Sequence, residues 1–187
     1  MKKLINVLRK ELYAKSSPGE VLNNLMEDKL KKIVSKYTHD EDALWIGSYL
    51  ADLFITEAKD DGNIKLHVPM ALKYAHELIV KYDISKKRSD IIIEIINTHH
   101  GGKQKCIEAK LFKNADCFKF LEPKGVFYLI SVVSKGKTEE SLKEAIEYAR
   151  LKVGEKFRLV DLNDDLEKEA KLLHDKLQWI FNRIDLG

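Results

Sequence analysis

Apolar residues recur at helical spacing from the first residues of the chain. Leu4, Leu8 and Leu12 are four positions apart and therefore share one stripe of a predicted first helix. The tetrapeptide Ser17-Pro18-Gly19-Glu20 has the form of a capping box with proline at the first helical position. It predicts a second helix, whose apolar face extends from Leu22 to Tyr37.

The same spacing predicts helices along the rest of the chain. Thr38-His39-Asp40-Glu41 repeats the capping signal and precedes a third apolar stripe, which ends at Phe54. The polar segment Asp60-Asp61-Gly62-Asn63 predicts a loop. The first helix is predicted over 2–14. Beyond the loop, five further helices are expected over about 68–82, 107–120, 126–134, 138–152 and 162–184, in addition to the isoleucine-rich segment described next.

The segment from Asp90 to His100 carries two competing signals. Its five isoleucines favour a strand by propensity. The neighbouring segments are helical, however, and no partner strand is evident in the sequence. We therefore interpret this segment as a buried helix that ends at Gly101-Gly102, and we predict an all-α fold.

Composition predicts one globular domain over residues 1–187. Hydrophobic residues make up 44% of the chain and charged residues 34%, and no repeat or linker interrupts it. Lys and Arg exceed Asp and Glu by three (33 − 30), with the two signs interleaved. Nucleic-acid binders usually concentrate basic charge on one face. Nucleic acid is therefore not an expected partner, and only the mild positive charge supports an RNA-associated module.

The chain carries no signal for a membrane or for secretion. No apolar run approaches the roughly 20 residues that span a bilayer, and Arg9, Lys10 and Glu11 break any signal-peptide core. Cys106 and Cys117 lack the spacing of a disulfide framework. We therefore predict a cytoplasmic protein without a membrane partner.

Candidate chemistry is concentrated between His99 and Asp116. His99 and His100 lie where the predicted buried helix ends at two glycines. On the next helix, Ala109, Phe112 and Asp116 share an apolar face, and a buried carboxylate needs a cation or hydrogen-bond donors. Histidine and aspartate are suitable ligands for a transition metal. These residues therefore predict a metal site.

Short motifs in this region resemble the latter half of the HD-domain metal-dependent phosphohydrolases. The motifs are Thr98-His99-His100, Glu108-Ala109-Lys110 and Asn114-Ala115-Asp116. Upstream, His67-Val68-Pro69 is similar to the family's middle histidine, and the segment 44–52 resembles the helix that ends in its His-Asp pair. The resemblance covers roughly residues 40–120, and it implies an HD-like helical bundle.

The sequence departs from the family at two ligand positions. The aspartate of the His-Asp pair is present as Asp52, but Ala51 occupies the histidine position, and no histidine lies around residues 18–24. In two-metal family members, one metal uses these two histidines. The ligands that the resemblance leaves in place, Asp52, His67, His99 and His100, form close to one complete half-site, and Asp116 remains in addition.

The resemblance implies hydrolysis of a small phosphate ester, with nucleotides among the expected substrates. Asp52 and Asp116 would be the catalytic carboxylates, and the cofactor would be Mn, Fe, Ni, Co or Zn, or else Mg. Lys103 and Lys113 would neutralise phosphate charge, although both also fit ordinary surface lysines. The two lost histidines favour the alternative of a degenerate HD domain that binds a nucleotide or a protein partner without catalysis.

Two literal His-Asp pairs compete with these assignments. His39 precedes Asp40 within a capping signal, and its role as a ligand stays open. His174 precedes Asp175 on the terminal helix, where we expect it at the edge of an apolar face rather than in the metal site. His76 is expected on a helix surface.

Overall fold

The protein is all-α, as the sequence predicts. A computed structural model describes residues 1–15, 19–134 and 138–184, and within these ranges it contains helices and no strand. The predicted cap at Ser17-Pro18-Gly19-Glu20 lies partly outside the described residues. The helices are α1 (Lys2–Lys15), α2 (Gly19–Val34), α3 (Glu41–Ala51), α4 (Ile55–Asp60), α5 (His67–Lys81), α6 (Lys86–Thr98), α7 (Ile107–Phe118), α8 (Pro123–Ser134), α9 (Glu139–Phe157) and α10 (Asp164–Ile184).

The isoleucine-rich segment is a helix, which confirms its helical interpretation. It forms α6, and four of its five isoleucines, Ile91, Ile92, Ile95 and Ile96, are buried. His99 caps the helix, and the chain then turns through Gly101 and Gly102 at φ values of 133° and 88°. Glycine reaches such positive angles without a steric penalty, so the two glycines end the helix where the sequence predicts.

The third helix is shorter than predicted. Its N-terminus is capped by Asp40, whose side chain accepts a hydrogen bond from the Ala43 N–H. The helix ends at Ala51 rather than near Phe54, because Asp52 leaves helical angles (φ −106°, ψ 6°) and caps it. A short helix, α4, and a 3₁₀ turn at Ile64–Leu66 follow, and neither was predicted.

Close packing of α3 against α6 depends on Gly47. A Cβ atom at this position would lie 2.7 Å from Cδ1 of Ile95, which is nearer than non-bonded carbon atoms approach. Gly47 precedes Asp52 by five residues, and Ile95 precedes His99 by four. The contact therefore brings the C-terminal ends of α3 and α6 to the same place.

The chain divides into two compact units. The first consists of Met1–Glu20 and Ile33–Lys113, and the second of Val21–Lys32 and Asn114–Gly187. The core of the first unit includes Leu4, Leu8, Leu12, Leu44, Leu50, Ile92, Ile96 and Phe112. The core of the second includes Leu22, Met26, Leu30, Phe118, Val126, Ala149, Val153, Leu177 and Phe181. A single domain over 1–187 stays a prediction. Among the described residues, no helix is both long and apolar enough to span a membrane.

Candidate metal centre

Four of the five predicted ligands meet in the first unit. Asp52, His67, His99 and His100 each offer one ligand atom, and these atoms all lie within 4.8 Å of one another. They come from three places in the chain, because Asp52 caps α3, His67 opens α5, and the two adjacent histidines follow α6. This group of nitrogen and oxygen ligands could hold a metal ion.

The spacing of the ligand atoms matches that of a coordination shell. The Nε2 atom of His67 lies 2.9 Å from Nε2 of His100 and 3.4 Å from Nε2 of His99. The Nε2 atom of His99 lies 3.4 Å from Oδ1 of Asp52. Around an ion with bonds of about 2.1 Å, neighbouring ligands are about 3.0 Å apart at right angles and about 3.4 Å apart at tetrahedral angles. Two of these three separations fall within this range and the third, at 2.9 Å, is slightly shorter, while all four ligand atoms lie within 4.8 Å of one another.

Contacts with backbone carbonyls determine which ring nitrogen carries the proton in His67 and His99. The Nδ1 atom of His67 contacts the Ile64 carbonyl, and Nδ1 of His99 lies 2.8 Å from the Ile96 carbonyl. A carbonyl oxygen can only accept, so Nδ1 carries the proton in each ring. In a neutral imidazole the other nitrogen, Nε2, then presents a lone pair. Histidines that bind metals are usually held in this way.

The resulting site is a cluster of hydrogen-bond acceptors. With Nδ1 protonated and the rings neutral, the Nε2 atoms of His67 and His99 would face each other with lone pairs, and the carboxylate of Asp52 also accepts only. A cation shared among these atoms satisfies all of them. The exposed fractions of Asp52, His67 and His99 are 5%, 4% and 1%, so little water screens their charges. Geometry and burial therefore both suit a bound cation.

The fifth predicted ligand, Asp116, belongs to the second unit and has two ammonium partners. Its Oδ2 atom lies 2.8 Å from Nζ of Lys156, and its Oδ1 atom contacts Nζ of Lys119. Burial acts to lower the pKa of Lys156, but the charge of Asp116 outweighs it and raises that pKa above its ordinary value. The role of Asp116 as a ligand and a catalytic residue stays a prediction.

The two predicted phosphate-binding lysines differ in their exposure. Lys103 is exposed, one residue after Gly102 in the turn that follows the histidine pair. Lys113 is only 3% exposed, on α7. The interpretation as an ordinary surface lysine therefore fits Lys103 and is wrong for Lys113. Phosphate binding by either residue stays a prediction.

The competing histidines lie outside the ligand group. His39 places Nδ1 2.8 Å from the Tyr37 carbonyl, beside the cap of α3. His174 stacks on Phe157 with ring centroids 4.3 Å apart, and its Nδ1 atom lies 3.5 Å from Oδ1 of Asp175. His76 is exposed on α5, as predicted. Among the described residues, the group of four contains none of these three.

Glu108 has a structural contact that the sequence did not indicate. It lies in the motif that resembles the HD family, and it is 5% exposed. Its Oε1 atom accepts a hydrogen bond of 2.8 Å from the Asp40 N–H. Arg88 bonds Oδ2 of the same aspartate at 2.9 Å. Glu108 therefore links α7 to the start of α3.

Comparisons with protein-family models, with curated proteins and with solved structures find no match to this chain. The likeness to the HD family consequently rests on the motifs of the sequence alone. The geometry of the ligand group does not depend on that likeness, because it follows from the positions of four side chains and two carbonyls.

Proposed function

We propose that this chain is a metal-dependent phosphohydrolase that binds one divalent ion through Asp52, His67, His99 and His100. The observation that carries the proposal is the convergence of three imidazole nitrogens and a carboxylate oxygen within 4.8 Å of one another, with three separations of 2.9–3.4 Å. The number of ligands supports one ion rather than two. The motifs that resemble the HD family support hydrolysis of a phosphate ester.

The ligand types favour a transition metal over magnesium. Imidazole suits Zn, Fe, Co and Ni, whereas Mg²⁺ prefers oxygen ligands and keeps several waters. Three of the four ligands here are imidazoles. Zn, Fe, Co and Ni are therefore the preferred proposed cofactors, and Mn and Mg, which suit oxygen ligands, are less suited.

A bound ion of this kind polarises a phosphoryl oxygen and lowers the pKa of water. The protein's own contribution is to hold the ligands in place. The carbonyls of Ile64 and Ile96 orient the two buried imidazoles, and Asp52 supplies negative charge. Lys103, exposed beside the site in sequence, is proposed to attract the phosphate group. The proposed substrate is a small cytoplasmic phosphate ester, such as a nucleotide.

A second candidate is a domain that binds metal and ligand without hydrolysis. The number of protein ligands favours it, because four protein ligands close a tetrahedral site and structural metal sites are usually closed. The engagement of Asp116 by two lysines also favours it, since the proposed second catalytic carboxylate already has partners.

Metal analysis tests the proposal first. We expect about one transition-metal ion per chain in protein prepared without chelator, and loss of that ion in His67→Ala and His99→Ala. His174→Ala is the matched control, because it removes a histidine outside the group. Circular dichroism and thermal unfolding should first establish that each variant folds. A wild-type protein that takes up no ion, or equal loss in His174→Ala, would contradict metal binding by these residues.

A substrate panel separates the two candidates. Wild-type protein loaded with Mn, Fe, Co, Ni, Zn or Mg should be assayed on phosphate esters that include nucleotides. Hydrolysis that His99→Ala abolishes and His174→Ala retains supports the phosphohydrolase. One bound ion, ligand binding and no turnover with any metal would support the domain without catalysis.

A further inference from the structure

His100 differs from the other three ligands in its exposure. Asp52, His67 and His99 are at most 5% exposed, whereas His100 is exposed to solvent. Its Nε2 atom nevertheless lies 2.9 Å from Nε2 of His67, within coordination distance of the group. The solvent-facing side of the ligand group is therefore the side on which His100 lies.

The backbone that carries His100 lies in a glycine turn. His99 caps α6, so His100 is the first residue beyond the helix cap, and Gly101 and Gly102 follow at positive φ. Apart from its two chain neighbours, no atom lies within 4 Å of a Cβ atom built on Gly102, whose carbonyl accepts a hydrogen bond of 2.7 Å from Gln104. By contrast, His67 opens α5 and has its Nδ1 held by the Ile64 carbonyl. Exposure and position in a glycine turn therefore distinguish His100 from the buried ligands.

Four protein ligands on one ion can leave no position for the substrate of a phosphohydrolase. The difference in exposure between His100 and the three buried ligands resolves this difficulty. A tetrahedral ion such as Zn²⁺, held by four protein ligands, would have no position for substrate, and catalytic sites usually keep one open. Removing Asp52, His67 or His99 from the ion would take a bond away from a polar group that is at most 5% exposed, which is costly. Removing exposed His100 returns its imidazole to water, so the cost is smaller.

We propose that His100 is the exchangeable ligand of the site, and that a phosphate group replaces it on the ion. Asp52, His67 and His99 stay bound during this exchange. The inference rests on the proposed metal site and deepens it, since it names the entry side and the ligand class. Lys103, exposed three residues after His100, adds positive charge to the same turn.

Metal affinity is the first test. Co²⁺ is the probe, because its visible absorption reports the number of bound ligands. His100→Ala should weaken Co²⁺ binding by about tenfold or less. His67→Ala and His99→Ala should weaken it by more than about 100-fold, since even outer partners of a metal-binding histidine contribute about 10–100-fold. His76→Ala, an exposed histidine outside the group, is the control.

Phosphate affinity is the second test, and its readout does not depend on turnover. Inorganic phosphate, added to Co²⁺-loaded protein and followed by absorption and calorimetry, should bind His100→Ala about tenfold more tightly than wild type. The reason is that wild-type protein binds phosphate only in the fraction of molecules in which His100 has left the ion. His76→Ala should bind phosphate as the wild type does.

Two results would overturn the proposal that His100 is the exchangeable ligand, and a third would refute the metal site on which it rests. Loss of Co²⁺ by His100→Ala as complete as that by His67→Ala would make His100 a fixed ligand and overturn the exchange. Equal phosphate affinity of His100→Ala and wild type would also overturn it. Wild-type protein that binds no Co²⁺ would instead refute the proposed metal site itself, so the two failures are distinguishable.

Discussion

Replacing Asp116 by Asn tests whether this carboxylate is a structural counterion or a metal ligand. Asp116 lies between two lysines that are themselves buried, with side-chain exposures of 1% for Lys156 and 4% for Lys119. Asparagine has nearly the same volume, so the substitution removes charge without leaving a cavity. Two ammonium groups would then remain buried without the negative charge that offsets them.

The expected loss of stability follows from the cost of a stranded charge. Breaking a buried ion pair by removing one partner typically costs about 3–5 kcal/mol. A lysine can instead lose its proton, and at pH 7 this costs about 5 kcal/mol for an ordinary pKa near 10.4. Keeping the stranded charge and releasing its proton therefore cost similar amounts of free energy, about 3–5 and about 5 kcal/mol. We therefore expect Asp116→Asn to lower the free energy of unfolding by about 3–5 kcal/mol.

Urea denaturation at several pH values measures this effect. The deficit of Asp116→Asn should shrink as pH rises from 7 towards 10, by up to about 1.4 kcal/mol per pH unit for each lysine that releases its proton. Asp175→Asn is the matched control, because this exposed aspartate pairs with Lys171 at 2.9 Å and should show no measurable change. Metal content should stay at the wild-type level in both variants. An Asp116→Asn protein with wild-type stability and without its metal would show that Asp116 is a ligand.

Two further predictions concern the frame that positions the ligands. Gly47→Ala should destabilise the fold by about 1–3 kcal/mol, because the added Cβ overlaps Ile95; an unchanged urea midpoint would contradict the close packing. Asp40→Ala should cost about 1 kcal/mol through loss of the α3 cap. Although burial acts to raise the pKa of Asp40, the bonds from the Ala43 N–H and Arg88 hold it below its ordinary 3.8. The stabilisation by the Asp40 carboxylate is therefore fully present above about pH 4 and is lost as the pH falls through its lower pKa in the folded protein. The difference in the free energy of unfolding between Asp40→Ala and wild type should therefore narrow in acid.

The helices were predictable because burial imposes a period on the sequence. The stripe Leu4, Leu8 and Leu12 is buried on α1, and the isoleucines of α6 are buried despite their strand propensity. Tertiary burial outweighs local preference in such a segment. The short α4 was missed, because six residues are too few for an apolar period to stand out.

The ligand group was predictable in its residues and not in its geometry. Asp52, His67, His99 and His100 stood out as metal-binding residue types near predicted helix ends, and they do meet. The exposure of His100 and the carbonyl partners of His67 and His99 depend on how the chain turns, which no spacing reports. The partnership of Asp116 with Lys156 joins residues 40 apart, which the spacing of the sequence does not indicate.

The placement of Asp52 gives an independent electrostatic reason for a cation. Asp52 caps the C-terminus of α3, and His99, within 3.4 Å of its carboxylate, caps the C-terminus of α6. Each helix C-terminus carries the equivalent of about half a negative charge, so a carboxylate at such a position is normally destabilised. Two helix C-termini and one carboxylate amount to about two negative charges, and the N-terminus of α5 at His67 offsets about half a charge, so about one and a half negative charges remain to favour a cation. The packing of Gly47 against Ile95, which brings these two C-termini together, therefore supports the proposed cation site.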